Sequence, residues 1–577
     1  MLNKLKFIPF VLFALLTQKM KAQSLAFERD PEHNTTATYA EVKAFYEEMA
    51  EKYADQAKLF TFGLTDVGKP LQLMLLSKDG DFDPVSIREK RKSIILFNNG
   101  IHPGEPEGID ASMLLIRDLL TKNTLPEQVV IGFIPVYNID GMLNRGLSRV
   151  NQNGPRSYGF RGNRQNFDLN RDFIKSDSRN AKVFQEIFNF LDPDVFMDNH
   201  SSDGADYQYI MTLIDTQRDK LNSILAEYME KNYTQELYRR MENDGYYLVP
   251  YVSFRGETPE SGIVTYLETP RYSTGYAALH NTIAYMPETH MWKPYEQRVQ
   301  STYRLMEHLI AITKEQGLRL LEARAKAKSA VKQQLDFPLV WELDSTMVDT
   351  IAFRGYEAAY KPSDVSGLKR MYYDRNRAYS RPIKLFNRYK PSVSVRKPKA
   401  YIVPQAYEKI LRLLKLNGVQ LDTLKKDTSL VVEVYYIKDL KTPPFPYEGH
   451  YLHSKVKLES KMMTLPFYAG DVMIATDQEI NRYIVETLEP QAVDSYFNWN
   501  FFDAVLDQKE YFSSYIFEDE AAKLLKKDPA LAQAFKEELD KNPDLKKNAH
   551  GQLDWIYKHS EYYEKSSRRY PIARVLN

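Results

Sequence analysis

The segment Asn98–Gly108, NNGIHPGEPEG, sets a histidine and a glutamate three residues apart among glycines and prolines. On a helix that spacing would put His102 and Glu105 on one face. Gly and Pro break helices, so here a turn must hold the pair. His102 begins the only H-x-x-E among ten histidines, and no H-E-x-x-H occurs. A catalytic zinc ion takes three His or carboxylate ligands and leaves a fourth position for water. His102 and Glu105 form a close ligand pair of that kind. His200, in the polar stretch DNHSSDG with Asp198 and Asp203, is the distant third. Pro103 and Pro106 restrict the turn and lower the entropy cost of holding both ligands.

Two further clusters carry chemistry. RGNRQNFDLNRDF (161–173) gathers arginines and asparagines around an aspartate. A guanidinium fork pairs bidentately with a carboxylate, so Asn170 and Arg171 suit a peptide's terminal carboxylate. Arg164 suits a developing oxyanion. Asp168 suits the second ring nitrogen of a ligating histidine. The same composition also fits a polar loop stitched by its own ion pairs. In AYMPETHMWKPYEQRV (284–299), Glu288 ends an apolar strand-like run, where a carboxylate can move a proton between attacking water and leaving amine. His290 beside it is a lesser ligand candidate.

Short apolar runs alternating with amphipathic segments must position these residues. The strands are expected at Ser93–Asn98, Val129–Pro135, Val195–Asn199 and Ile283–Met286, with helices at Ile109–Leu120, Ala181–Leu191, Lys220–Met241 and Tyr295–Ala327. That alternation predicts an α/β domain with a sheet flanked by helices, its site at strand C-terminal ends. His102 follows one strand end by four residues and His200 follows another directly. From about Gln334 the runs become shorter and β-rich, with Pro and Tyr punctuation, and charged helices follow, Glu518–Leu539 most plainly. The expected division is a signal peptide at 1–22, a catalytic domain at 23–333, and a mostly β accessory domain at 334–577 with a helical end. His450 and His453 in GHYLHSK read as a solvated strand edge, and the aromatic block 486–503 as core.

The N-terminal lysines and the apolar run Phe7–Leu16 fit a signal peptide cleaved near Ala22, which predicts an exported protein, periplasmic or secreted. No later apolar run is long enough for a transmembrane anchor. Without cysteine there is no disulfide, thiolate ligand or acylation acceptor. A net charge of +1 gives no basic excess that would point to nucleic acid.

Taken together, HPGE, DLNRD, His200 and Glu288 resemble the M14 family of zinc metallocarboxypeptidases, over roughly residues 40–320. The resemblance implies a zinc carboxypeptidase-like mixed sheet flanked by helices, and one zinc ion on His102, Glu105 and His200. It also implies a substrate-anchoring Asn170–Arg171 pair, Glu288 as general base, Asp168 behind a ligand and Arg164 at the oxyanion, with Arg161 competing. A tyrosine that closes over substrate falls on Tyr266 by an ungapped count, with Tyr272 and Tyr276 as rivals. The floor of the side-chain pocket falls near Ser273–Thr274, which are uncharged and disfavour C-terminal Lys or Arg. The implied activity is release of C-terminal residues from peptides. Two alternatives stand beside it: an endopeptidase or amidase acting on cell-wall peptides through the same zinc, and a non-catalytic binding protein on this scaffold.

Overall fold

A computed structural model describes residues 24–576; the expected signal segment at 1–22 lies outside them. Eight strands form the central sheet: β1 (Ala57–Leu64), β2 (Pro70–Leu76), β3 (Ser93–Asn98), β4 (Val129–Ile134), β5 (Val195–Asp198), β6 (His200–Ser202), β7 (Met211–Asp215) and β8 (Ile283–His290). The order is β1-β2-β4-β3-β5-β8-β6, with β7 also paired to β8. β3, β4, β5, β6 and β8 pair in parallel, while β1/β2, β2/β4 and β7/β8 are antiparallel. The sheet is therefore mixed. β3 and β4 are buried along their whole length, which is why they read as unbroken apolar runs rather than alternating ones.

Three of the four expected helices are present with longer ends; the fourth, expected at Lys220–Met241, starts only at Ser223 and runs to Asn243 through a π-helical stretch at Glu230–Thr234. Glu107–Thr121 starts directly after Pro106, and Arg179–Leu191 is capped by Ser178, whose hydroxyl accepts from Ala181 N. Tyr295–Gln333 runs as one helix. β8 continues four residues past the expected end at Met286, because Pro287 lies opposite Leu213 of β7 in a ladder that resumes on both sides of it.

The chain divides into two compact units. The first takes the described residues up to Arg396, with Arg412–Val419 and Asp477–Glu486; the second takes Lys397–Leu411, Gln420–Thr476 and Thr487–Asn577. The β-rich segment after the long helix is thus split. The hairpin Asp349–Pro362/Lys369–Phe386 belongs with the first unit, because its second strand pairs with Ile263–Val264. Phe353, Ile383 and Leu385 of the hairpin share a buried cluster with Tyr207, Tyr209 and Val249.

The second unit is built on a six-stranded sheet in which Thr428–Lys441 and Ser454–Phe467 form a long hairpin. The charged helical stretch expected at Glu518–Leu539 is two helices, Ser514–Lys527 and Pro529–Lys541. Pro529 has no amide hydrogen to continue the first, and Asp528 caps the second by accepting from Ala530 N and Leu531 N.

Candidate metal centre and peptide cleft

The turn after β3 is fixed from several sides. Gly100 adopts φ +63°, a left-handed conformation that Gly takes at little cost. Glu105 N donates to His102 O at 2.8 Å, closing the turn. Gly108, in the first turn of the following helix, has no room for a side chain: a Cβ there would lie 2.4 Å from Asn199 Cβ. That close approach brings the HPGE turn against the segment carrying His200.

Ligand atoms of His102, Glu105 and His200 all lie within 4.8 Å of one another, and all three residues are buried. Each histidine commits Nε2 to an aspartate, His102 to Asp168 Oδ1 at 2.8 Å and His200 to Asp198 Oδ2 at 2.9 Å. With the ring proton on Nε2, each Nδ1 turns its lone pair toward the Glu105 carboxylate. His102 Nδ1 is 3.2 Å from Oε1, and His200 Nδ1 is 3.1 Å from Oε2. His102 Nδ1 is buried with no hydrogen-bond partner. Lone pairs converging in a buried space repel unless a cation sits among them, and two imidazoles with one carboxylate are a zinc donor set. The residues fit one zinc ion.

In the metal-free protein the electrostatics favour positive charge at this spot, and a proton on His200 Nδ1 takes the place a cation would fill. Burial opposes ionisation of Glu105, but His102 and Arg149 outweigh it and hold the carboxyl well below its usual range. Asp168 behaves likewise, with His102, Arg161 and Arg171 overcoming burial. Burial alone would discharge His200, yet Asp198 drives its basicity well above normal.

Glu288 is placed by sheet register. On adjacent parallel strands it pairs with His200, and on its other side with Thr212. Burial, reinforced by Glu105 and partly offset by His200, pushes its carboxyl up to about 8 in the metal-free protein. Glu288, His102, Glu105 and His200 line a cleft of about 490 Å³ together with Asn170, Arg171, Tyr266 and Tyr272. Asn170 Oδ1 accepts from Ser273 N at 3.1 Å, and the Arg171 guanidinium stacks 4.4 Å over the Tyr272 ring. The Tyr266 hydroxyl donates to that of Tyr272 at 2.8 Å.

Other expected residues fall elsewhere. Arg164 is exposed and does not line the cleft. Asn163 Oδ1 accepts from both Gln165 N and Phe167 N, which curls residues 163–167 into a surface turn carrying Arg164 outward. Arg161 takes the cleft position, donating to Asp168 Oδ2 at 2.9 Å and Glu105 Oε1 at 3.2 Å. Tyr276 is fully buried and its hydroxyl donates to Asn417. His290 is no ligand: Nε2 lies 2.9 Å from Ala205 O, and Nδ1 accepts from Trp292 N. His453 is only 4% exposed, so it is not on a solvated strand edge.

Three contributors carry no sequence signature. Arg149 donates to Glu105 Oε1 at 2.8 Å, Glu268 lines the cleft, and Arg298 pairs with Glu107 beneath it. Glu107 in turn accepts from Ser201 Oγ, next to His200. Each is a lone residue brought in from a distant segment.

Residues 42–242 match the zinc carboxypeptidase family, Peptidase M14. The chain is 21% identical over 465 residues to Carboxypeptidase 2 of Trichophyton rubrum, covering 75% of this chain and 78% of that protein. It is 21% identical over 440 residues to Carboxypeptidase 2 of Trichophyton tonsurans, covering 70% and 72%. A metallo-carboxypeptidase from Burkholderia cenocepacia superposes with a TM-score of 0.37 at 13% identity, over 49% of this chain and 70% of that one. Residues 42–242 thus carry a zinc carboxypeptidase domain. The protein is a zinc metallocarboxypeptidase, a metal-dependent peptide hydrolase.

Proposed function

We propose that the protein releases C-terminal residues from peptides one at a time, and that it is exported to do so. The observation carrying this reading is the meeting, in one cleft, of a His-Glu-His donor set with a carboxylate-binding pair and a buried glutamate. Asn170 and Arg171 hold the substrate's terminal carboxylate, an amide and a guanidinium suited to two parallel hydrogen bonds. When bound by His102, Glu105 and His200, zinc supplies Lewis acidity, polarising the scissile carbonyl and making water more acidic. Glu288 accepts the proton of the attacking water on its carboxylate as the new C–O bond forms. It then delivers that proton to the amine nitrogen as the C–N bond breaks. Arg161, in the place expected for Arg164, faces the developing oxyanion. Tyr266 covers the bound C-terminal residue. Asp168 and Asp198 orient the two imidazoles.

Export rests on the N-terminal charge and apolar pattern. No helix among the described residues is long and apolar enough to cross a membrane.

A digest of a peptide library with free or amidated C-termini, with and without chelator, tests the reading. Chelator-sensitive loss of single residues from free C-termini alone is expected, and Arg171→Ala should abolish that preference. Internal cleavage, or equal cleavage of amidated peptides, would replace the exopeptidase reading with the endopeptidase or amidase alternative.

A further inference from the structure

The hairpin Asp349–Pro362/Lys369–Phe386 is fixed at one end and bare at the other. At its base Phe353, Ile383 and Leu385 are buried, and Gln208 Nε2 donates to Gly355 O at 3.0 Å and Tyr379 O at 2.9 Å. Farther out, the Tyr360 hydroxyl donates to Glu257 at 2.8 Å. From Lys361 to Arg370, hydrogen bonds among the described residues stay within the hairpin, and every residue except Ser363 is exposed.

The tip is a built turn. Ser363 Oγ accepts from Val365 N at 3.2 Å and Ser366 N at 3.1 Å, and Ser363 N donates to Leu368 O at 2.7 Å. Gly367 closes the loop at φ +71°, a left-handed conformation. This turn holds Val365 and Leu368 out at 98% and 71% exposure. Single exposed apolar side chains are ordinary, but these two share one loop and stand among cations. Lys361 and Arg370 are direct register partners across the ladder, with Lys369 opposite Pro362 beside them. Like charges set opposite each other weaken a hairpin. Lys361, Lys369 and Arg370 have no carboxylate partner among the described residues; Lys361 lies over the Tyr372 ring and Lys369 over that of Tyr360. Nearer the base the cations are paired, Arg375 with Asp206 and Arg381 with Glu357. Residues 349–386 carry eight Lys and Arg against four Asp and Glu, in a chain whose net charge is only +1.

We infer that this tip docks on an anionic lipid bilayer, Val365 and Leu368 entering the interface and Lys361, Lys369 and Arg370 meeting the phosphates. An apolar point ringed by cations complements a surface that is negative above and apolar beneath. Tyr360 and Tyr372, under the two lysines, are of the side-chain type that settles at headgroup depth. A nucleic acid would answer the cations but leave both apolar side chains in water. The tip takes no part in lining the metal cleft, so docking holds the peptidase at a membrane surface without filling its site.

The chain contains no cysteine, so Ser366→Cys gives a single attachment point for an environment-sensitive fluorophore between the two apolar residues. The labelled full chain is titrated with vesicles of phosphatidylglycerol and phosphatidylcholine in equal parts, and with phosphatidylcholine alone. Membrane contact through the apolar run Phe7–Leu16 would not shift a probe at residue 366. A blue-shifted emission with the anionic vesicles only, lost at high salt, is expected. Lys369→Ala together with Arg370→Ala should weaken the apparent vesicle affinity about 25-fold, from roughly 5-fold per cation. Val365→Ser together with Leu368→Ser should weaken it at least about 10-fold. Neither pair lines the cleft, so peptidase activity should match the wild type in both and report an intact fold. No spectral change with anionic vesicles would overturn the inference. So would undiminished binding by the Val365→Ser, Leu368→Ser variant, or an equal response to duplex DNA, either of which would make the tip a general polyanion site.

Discussion

Two regions of the molecule set histidines among acidic side chains, and only one of them can hold a metal. In the second unit, His453 Nδ1 lies 2.8 Å from Thr442 Oγ1 and Nε2 3.0 Å from Asp503 Oδ1, so both ring nitrogens are engaged. His450 packs edge-on against Trp499 with ring centroids 5.5 Å apart. In the first unit, His102 and His200 each spend one nitrogen on an aspartate and point the other at Glu105. Histidine count and acidic neighbours do not separate the two. The separating feature is where the second lone pair goes: into a finished hydrogen bond, or into a shared buried space.

The strongest way to break that contrast is to remove a ligand. His102→Ala or His200→Ala should drop the zinc stoichiometry of purified protein from near one toward zero. Peptidase activity should fall by at least roughly 1,000-fold, since the metal contributes several kcal/mol to the reaction. His453→Ala should change neither quantity, and metal loss from that variant would collapse the distinction.

Next in size is Arg298→Met. It leaves Glu107 buried without its cation partner, and breaking such a pair typically costs about 3–5 kcal/mol. Thermal unfolding monitored in the first unit should register this loss, and an unchanged midpoint would mean that Ser201 alone satisfies Glu107.

Chelation is expected to act on one unit only. Removing zinc previously present at 100 times its dissociation constant withdraws about 2.7 kcal/mol from the unit that binds it. Hydrogen exchange should therefore accelerate around His102 and His200, with the Thr428–Lys441 hairpin unaffected. Smallest is the change behind a ligand. Asp198→Asn should weaken zinc binding about 10- to 100-fold, while Asp503→Asn, its counterpart beside His453, should leave the zinc affinity where it was.

The parts legible in the sequence are those in which neighbouring residues act together. HPGE is a turn whose own proline and glycine position two of the three candidate ligands, and DLNRD carries the imidazole partner and the proposed carboxylate anchor on one short helical turn. His200 and Glu288 were readable because each ends an apolar run. Arg149, Glu268 and Arg298 are single residues whose importance arises only when the sheet brings distant segments together. Arg161 and Arg164 differ in fate because of the surface turn at residues 163–167 nucleated by Asn163, a detail below the resolution of composition and spacing. The unit boundary was obscured for a similar reason. A long hairpin looks alike whether it starts a new domain or, as with Asp349–Phe386, finishes an old one by pairing with Ile263–Val264.

The register between β6 and β8 has one further consequence. Because His200 and Glu288 are direct partners across a ladder, their separation is ruled by hydrogen-bond spacing and not by any loop. Loops around the cleft can lengthen, shorten or exchange residues, and substrate choice can drift with them, while this pair keeps its distance. A single deletion between Ile283 and Pro287 would not be tolerated in the same way. It would turn every following side chain of the strand to the opposite face, sending Thr289 into the cleft and the glutamate out of it.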